Sequence, residues 1–347
     1  MYRRGSSKRG GRLEAEVELE GGLDLKLLFS RYYSLYSRKG VWAPPEMARR
    51  EFAFQLFERE AYTRHISFST PEELANYLAS KAPRHAYYSI ALYEVPDAPE
   101  MEGKGWLGSL LMFDIDVDSI EGCGEIASDD CMVKGAMEAE KLLMVLRRDF
   151  GVEGSVYFTG NRGFHVLVDC GWCLELGREE RREIARYVAL EGFEGSVFPQ
   201  RSRRVVLSPR DPGPRWRIAE VLGLEGESVV GIEDVIAAAG EAGVRIDMQV
   251  TQDISRLARL LYTLNGKAGL LVTPLEEPSR FTPDPSLSPF KGEVEVVFEA
   301  DLEETRILGW SVGGKRGEEA TLPAEVGVML AAKGVVRVVG GVVRVVV

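Results

Sequence analysis

An α/β fold with mixed sheets is predicted, on three observations. Short apolar runs of strand length alternate with amphipathic stretches of helical spacing. The run Leu110-Leu111-Met112-Phe113 is apolar on both faces, as a buried strand requires, and ends in Asp114 and Asp116. Glycine-rich turns, not long polar linkers, separate the elements, as between Thr159 and Gly163.

In chain order, Met1 to Arg12 is basic and glycine-rich with no apolar run behind it, so it reads as a disordered arm and not as a secretory signal. Pro45 to Glu60 predicts an amphipathic helix. Pro71 to Lys81 predicts a second, capped by Thr70 or Ser69, and Tyr87 to Tyr93 a strand. Asp129 to Phe150 is predicted as a long helix. Strands near Val156 and Val166 flank the glycine turn, helices follow over Arg178 to Leu190 and Gly231 to Gly240, and a strand bearing Asp247 leads into a helix over Thr251 to Leu264. Near the end, Thr321 is expected to cap a helix running to Lys333. Val335 to Val339 and Val342 to Val347, joined by Gly340-Gly341, then predict a tight hairpin that either completes the main sheet or forms a winged-helix-like appendage. The expected division is a lead-in over 1–24, a catalytic domain over 25–298 and a C-terminal helix-and-hairpin extension over 299–347.

The chemistry concentrates in three patches. In a strand, residues i and i+2 share a face, so Asp114 and Asp116 aim both carboxylates at one point. Such oxygen donors suit Mg²⁺ or Mn²⁺, which keep open positions for substrate phosphates. Thr159-Gly160-Asn161-Arg162-Gly163-Phe164-His165 puts a guanidinium and an imidazole on a turn whose glycines let backbone approach phosphate. Ile246 to Val250 offers a third carboxylate, Asp247.

With these patches, the segments RREFAF (Arg49 to Phe54), RHISF (Arg64 to Phe68), YYSIALYEVP (Tyr87 to Pro96) and LNGKAGL (Leu264 to Leu270) together resemble the catalytic small subunit of archaeal and eukaryotic DNA primases. The resemblance covers roughly Leu25 to Phe298. It implies the compact two-layer primase fold and primer synthesis from nucleoside triphosphates on a DNA template. It implies two divalent ions held by Asp114, Asp116 and Asp247. A triphosphate would be bound by Thr159, Gly160, Arg162, Gly163 and His165, which are similar to the family's S-G-x-R-G-x-H signature, and by Lys267, in the place of the lysine of H-G-K-T-G. Asn265 departs from that element's histidine. Glu51 and Arg64 lie in matching segments and join the candidates. The resemblance further implies a large primase subunit as partner, carrying an iron–sulfur cluster, since four scattered cysteines here are no such ligand set. A repair polymerase of the same superfamily, working in end joining, and a non-catalytic nucleic-acid-binding subunit are the alternatives.

Composition bounds this reading. The 347 residues carry 43 Lys and Arg against 54 Asp and Glu, a net charge of −11. A DNA-binding surface must therefore be local, and Arg201, Arg203, Arg204, Arg210, Arg215 and Arg217 crowd a stretch whose sole acid is Asp211. Arginines outnumber lysines 32 to 11 and Asn plus Gln total seven, the bias of a heat-adapted protein. No apolar run is long enough to cross a membrane, and the cytoplasm is the expected location. Primase small subunits commonly carry a zinc knuckle after the aspartate strand. Here only Cys123 and Cys131 remain there, and Ser128 to Cys131 has the spacing of a degraded C-x-x-C. With Cys170 and Cys173 they leave zinc, a disulfide or inert thiols open, zinc being disfavoured because two ligands cannot close a tetrahedral site.

Overall fold

The computed structural model describes residues 13–19, 21–192 and 203–347. The predicted basic arm therefore lies outside the described residues. Three four-stranded antiparallel sheets and the helices between them share one continuous apolar core. The first sheet orders its strands Leu257–Arg259, His85–Ser89, Phe52–Gln55, Tyr62–Ile66. The second orders Thr273–Leu275, Gly154–Phe158, Gly163–Val168, Leu111–Asp116. The third orders Glu14–Glu18, Val336–Val346, Phe290–Phe298, Glu319–Pro323. A smaller unit, the hairpin Arg204–Leu207 and Ser228–Gly231 with helices Pro214–Val221 and Ile232–Ala242, has a separate core around Leu207, Ile218 and Val235.

The α/β class holds, and most predicted elements are present. Helix Pro71–Lys81 starts where its sequence says: the Thr70 hydroxyl accepts from Glu73 N, and Pro71 occupies the first turn, where its missing N–H costs nothing. Helix Asp129–Val145 is capped by Ser128 and runs into a wider turn over Leu146–Phe150. Helices Arg178–Ala189 and Ile232–Ala242 match their expected spans within two residues.

Five expectations are corrected. Pro45 to Glu60 is not a helix but a short 3₁₀ turn, Met47–Arg49, and the strand Phe52–Gln55. Phe52, Ala53 and Phe54 are all fully buried, so the run needs burial on both faces, which a strand inside a sheet gives and an amphipathic helix does not. Thr251 to Leu264 is also not a helix. Leu257–Arg259 pairs with Tyr87–Ser89, and Leu264–Asn265 pairs with Leu270–Leu271. Asp247 sits on no strand: its carboxylate caps the one-turn helix Met248–Gln252. Finally, the terminal valines form one strand, Val336–Val346, and not a hairpin, and Thr321 lies within strand Glu319–Pro323 while the helix begins at Ala324. Gly340 and Gly341 continue the strand, paired with Glu295 and Val294, and a bulge stands just before them, where Val339 is skipped between the Glu295–Gly340 and Val296–Val338 pairs. Gly341, at φ 125°, passes so close to the neighbouring strand that a Cβ would lie 2.5 Å from the Glu293 carbonyl.

Candidate active site

The second sheet builds the site. Strand Leu111–Asp116 pairs antiparallel with Gly163–Val168, setting Asp114 opposite His165 and Asp116 opposite Gly163. Phe113 and Ile115 bury the other face, so Asp114 and Asp116 point together into a cleft of about 190 Å³. Burial, then the neighbouring Asp116, push the Asp114 carboxyl up to about 6; Asp247 adds to this, while Arg256 and Arg259 oppose it. Asp247 is tied to the strand through its backbone, its N–H donating to the Asp114 carbonyl at 2.8 Å. Its Oδ1 accepts from Gln249 N at 2.9 Å and Val250 N at 3.4 Å, which leaves the second oxygen for a ligand.

Among the described residues no three His, Cys, Asp or Glu side chains gather closely enough to enclose an ion unaided. The donor set nonetheless fits a hard divalent cation. Its ligands are carboxylate oxygens, one of them held near like charges that a cation would relieve, with room for phosphate and water to complete the coordination.

The glycine turn lies beside the carboxylates. Gly160 has φ 77°, and a Cβ there would lie 2.8 Å from the Leu270 carbonyl and 3.0 Å from Asn265 Cβ. The Thr159 N–H and hydroxyl both donate to the Gly163 carbonyl, at 2.9 and 3.0 Å, closing the turn. Arg162 is largely buried; its Nε lies 3.3 Å from Asp116 Oδ1 and its other end pairs with Asp118. His165, predicted to begin its strand, is its third residue and is buried, with Nε2 3.8 Å from Asp114 Oδ1. Burial and the cations Arg259 and Arg256 lower its pKa to about 3, so the ring is neutral and offers one donor and one acceptor. Lys267 lines the same cleft.

The neutral Asn265 acts as a brace. Its Nδ2 donates to the Thr159 carbonyl at 2.9 Å and its Oδ1 accepts from Lys267 N at 3.0 Å, locking the glycine turn to the lysine loop. Three further residues were not legible. Arg256 and Arg259 line the cleft but were hidden inside a segment of apparent helical spacing. His85 is buried, and its Nδ1 lies 3.1 Å from Arg259 Nη1 and accepts from Gly266 N at 3.3 Å. Burial and neighbouring cations, Arg259 first, hold its pKa down at about 2, so it serves as a neutral acceptor; no sequence motif marks it.

Arg64 and Glu51 lie apart from the carboxylate cleft, at an adjoining cavity of about 340 Å³ whose lining includes Arg64 but not Glu51 and which shares Tyr87, Arg256 and Leu257 with that cleft. Glu51 is fully buried and grips Arg64 through two contacts, 2.9 and 3.2 Å. Burial pushes its carboxyl up, but Arg64, the His65 N–H and Lys104 outweigh that and hold it below the usual carboxylate range. Glu51 thus orients Arg64 and does not face the cavity.

Two sequence expectations change here. Arg217 is buried, donating to the Val188 and Tyr187 carbonyls at 3.0 and 3.1 Å, so it belongs to the core of its helix and offers nothing to nucleic acid. Arg215 pairs with Asp211 at 3.1 Å; Arg203 and Arg204 are exposed; Arg201 lies outside the described residues. The cysteines are joined as Cys123–Cys131 and Cys170–Cys173, so none of the four offers a thiolate to a metal. The first bond staples the loop after the carboxylate strand to helix Asp129–Val145.

Residues 113–277, which span the aspartates, the glycine turn and Lys267, match the family described as DNA primase small subunit. A DNA primase small subunit of Aeropyrum pernix is 52% identical over 330 residues, covering 93% of this chain and 96% of that protein. The chain belongs to the DNA primase small subunit family. A family member from Sulfolobus acidocaldarius is 36% identical over 347 residues, covering 93% of this chain and 97% of that protein. Among solved structures, the polymerase domain of Mycobacterium tuberculosis ligase D in complex with DNA aligns with TM-score 0.41 and 14% identity, covering 74% of this chain and 84% of that one. Among the described residues no helix is long and apolar enough to cross a membrane.

Proposed function

We propose that this chain is the catalytic subunit of a DNA primase, joining nucleoside triphosphates into primers for replication by attack of a 3′-hydroxyl on an α-phosphate. One observation carries the assignment of roles: Asp114 and Asp116 share a strand face in the cleft that also holds Arg162 and Lys267, and Asp247, outside that cleft's lining, is hydrogen-bonded to the same strand near enough to raise the Asp114 carboxyl. Asp114, Asp116 and Asp247 would hold two Mg²⁺ or Mn²⁺ ions. When bound, such ions stabilise charge on both the attacking and the leaving oxygen. Arg162 and Lys267 bind the triphosphate, the first by its bidentate fork and the second as a point charge. The neutral His165 hydrogen-bonds a phosphate oxygen without competing for the cation site. Arg256 and Arg259 add positive charge at the cleft wall, and Arg64, oriented by Glu51, serves the adjoining cavity. Residues 25–298 form the catalytic domain and supply every residue of this set.

DNA template and primer, nucleoside triphosphates and a large primase subunit bearing the iron–sulfur cluster are the proposed partners, and the cytoplasm is the proposed place of work. Equilibrium titration with labelled nucleotide and Mg²⁺ tests the pocket. Arg162→Ala and Lys267→Ala should each weaken binding, the arginine by about 1.5–3 kcal/mol, the value of a charge-assisted contact in a shielded site. Parent-like affinity in both variants refutes the pocket; template-directed synthesis by Asp116→Ala at the parent's rate refutes the metal roles.

A further inference from the structure

Helix Ala324–Ala332 comes from far along the chain, yet the residue that ends it reaches the nucleotide turn. Lys333 Nζ donates to Asn161 Oδ1 at 2.8 Å and to the Glu125 carbonyl at 3.1 Å. Asn161 stands between Gly160 and Arg162 and lines the carboxylate cleft. Glu125 belongs to the loop that the Cys123–Cys131 bond staples. The helix itself is anchored: Val326, Val328, Met329 and Leu330 are buried, and Gly334 at φ 72° turns the chain into the central strand Val336–Val346 of the third sheet. The ammonium is therefore presented by rigid scaffold and not by a loop.

We infer that Lys333 is a positioning residue for the incoming nucleotide, holding the Asn161–Arg162 turn in its binding shape and adding a positive charge behind Arg162 and Lys267. This rests on the reading of the cleft as a triphosphate site. A tether alone would not select a lysine here, because a neutral donor satisfies two acceptors without the cost of taking a charge from water. The groups that face Lys333 are the cations Arg162 and Lys267 and the acids Glu125 and Asp118. Burial first, and then Arg162, hold its pKa at about 8. Asp118 is already engaged by Arg162. Positive charges gathered around one turn repel one another until a polyanion arrives, and the triphosphate is that polyanion.

Titration of the full-length chain with radiolabelled ATP and Mg²⁺ tests this. Lys333→Met keeps the alkyl stem and removes the charge; it should raise the Kd roughly threefold to tenfold, as expected of one partly screened charge. Lys333→Arg keeps the charge and should stay within about twofold of the parent. In the parent, affinity should be full between about pH 7, where Asp114 is ionised, and pH 8, and fall as pH rises past 8 because Lys333 loses its proton; in Lys333→Arg that fall should disappear. The comparison of parent with Lys333→Arg does not depend on how well the methionine variant folds. Parent-like binding by Lys333→Met, or a pH profile identical in parent and Lys333→Arg, overturns the inference. Arg162→Ala in the same titration guards the premise: if it too binds as the parent does, the triphosphate reading has failed and not the role of Lys333.

Discussion

Replacing Asp114 by asparagine should stabilise the metal-free protein while abolishing synthesis. Asp114 is ionised at neutral pH in a place that resists ionisation, half-buried and beside Asp116 and Asp247. Its carboxyl is displaced from 3.8 to about 6, which at about 1.4 kcal/mol per pH unit is a cost of roughly 3 kcal/mol at pH 7. The side chain keeps 26% of its surface exposed, so water screens part of that, and a gain of about 1–2 kcal/mol is expected for Asp114→Asn. The sign follows from linkage. The native state binds the Asp114 proton more tightly than the unfolded chain, so its stability is highest below about pH 4 and falls as pH rises to about 6. The advantage of the asparagine is therefore absent near pH 4 and complete above pH 6. Denaturant unfolding in chelator across that pH range measures it. Added Mg²⁺ or Mn²⁺ should stabilise the parent and narrow the gap, because an ion that binds only the folded state adds to its stability. A variant no more stable than the parent at pH 7.5 in chelator, or a gain equally large at pH 4, would refute like-charge crowding as the character of this cleft.

Two further outcomes are expected. Gly160→Ala places a Cβ 2.8 Å from the Leu270 carbonyl at φ 77°, so it should cost about 1–3 kcal/mol by denaturant unfolding and weaken nucleotide binding with it; unchanged stability contradicts the turn geometry. Deleting everything after Gly334 removes a central strand whose Val336, Val338, Val343 and Val345 are buried, each worth roughly 1.5–3 kcal/mol; the truncated chain should fail to give a cooperative unfolding transition, and a native circular dichroism spectrum with intact cooperativity would show that the third sheet is dispensable.

The site was legible where sequence and burial conflict. An apolar strand running into Asp114 and Asp116 makes sense only if something offsets the charges, and glycines around Arg162 mark backbone that must pass close to its neighbours. Pro71–Lys81 was legible because Thr70 and Pro71 supply a local start signal. What failed depends on partners distant in sequence. Leu257, Leu260, Leu261 and Leu264 have helical spacing, but Leu257–Arg259 is held as a strand by Tyr87–Ser89, which hid Arg256 and Arg259. Asp247 was expected on a strand, whereas its carboxylate caps a single turn. Gly340-Gly341 suits a tight turn as well as a strand that passes close to its neighbour beside a bulge, since both exploit the freedom of glycine, and only the two flanking strands decide between them. The cysteine pairings likewise follow from proximity in space, which spacing along the chain left open.

The third sheet also dictates an order of events in synthesis. Strand Glu14–Glu18 finds its partner, Val336–Val346, only after more than three hundred further residues have been translated. Until then the early strand has an open edge and the helix carrying Lys333 has no seat. A nascent chain on the ribosome can already pair Leu111–Asp116 with Gly163–Val168, yet it lacks the last brace of its nucleotide turn. Closing so long a loop is slow, and it makes completion of the catalytic pocket one of the latest steps of folding.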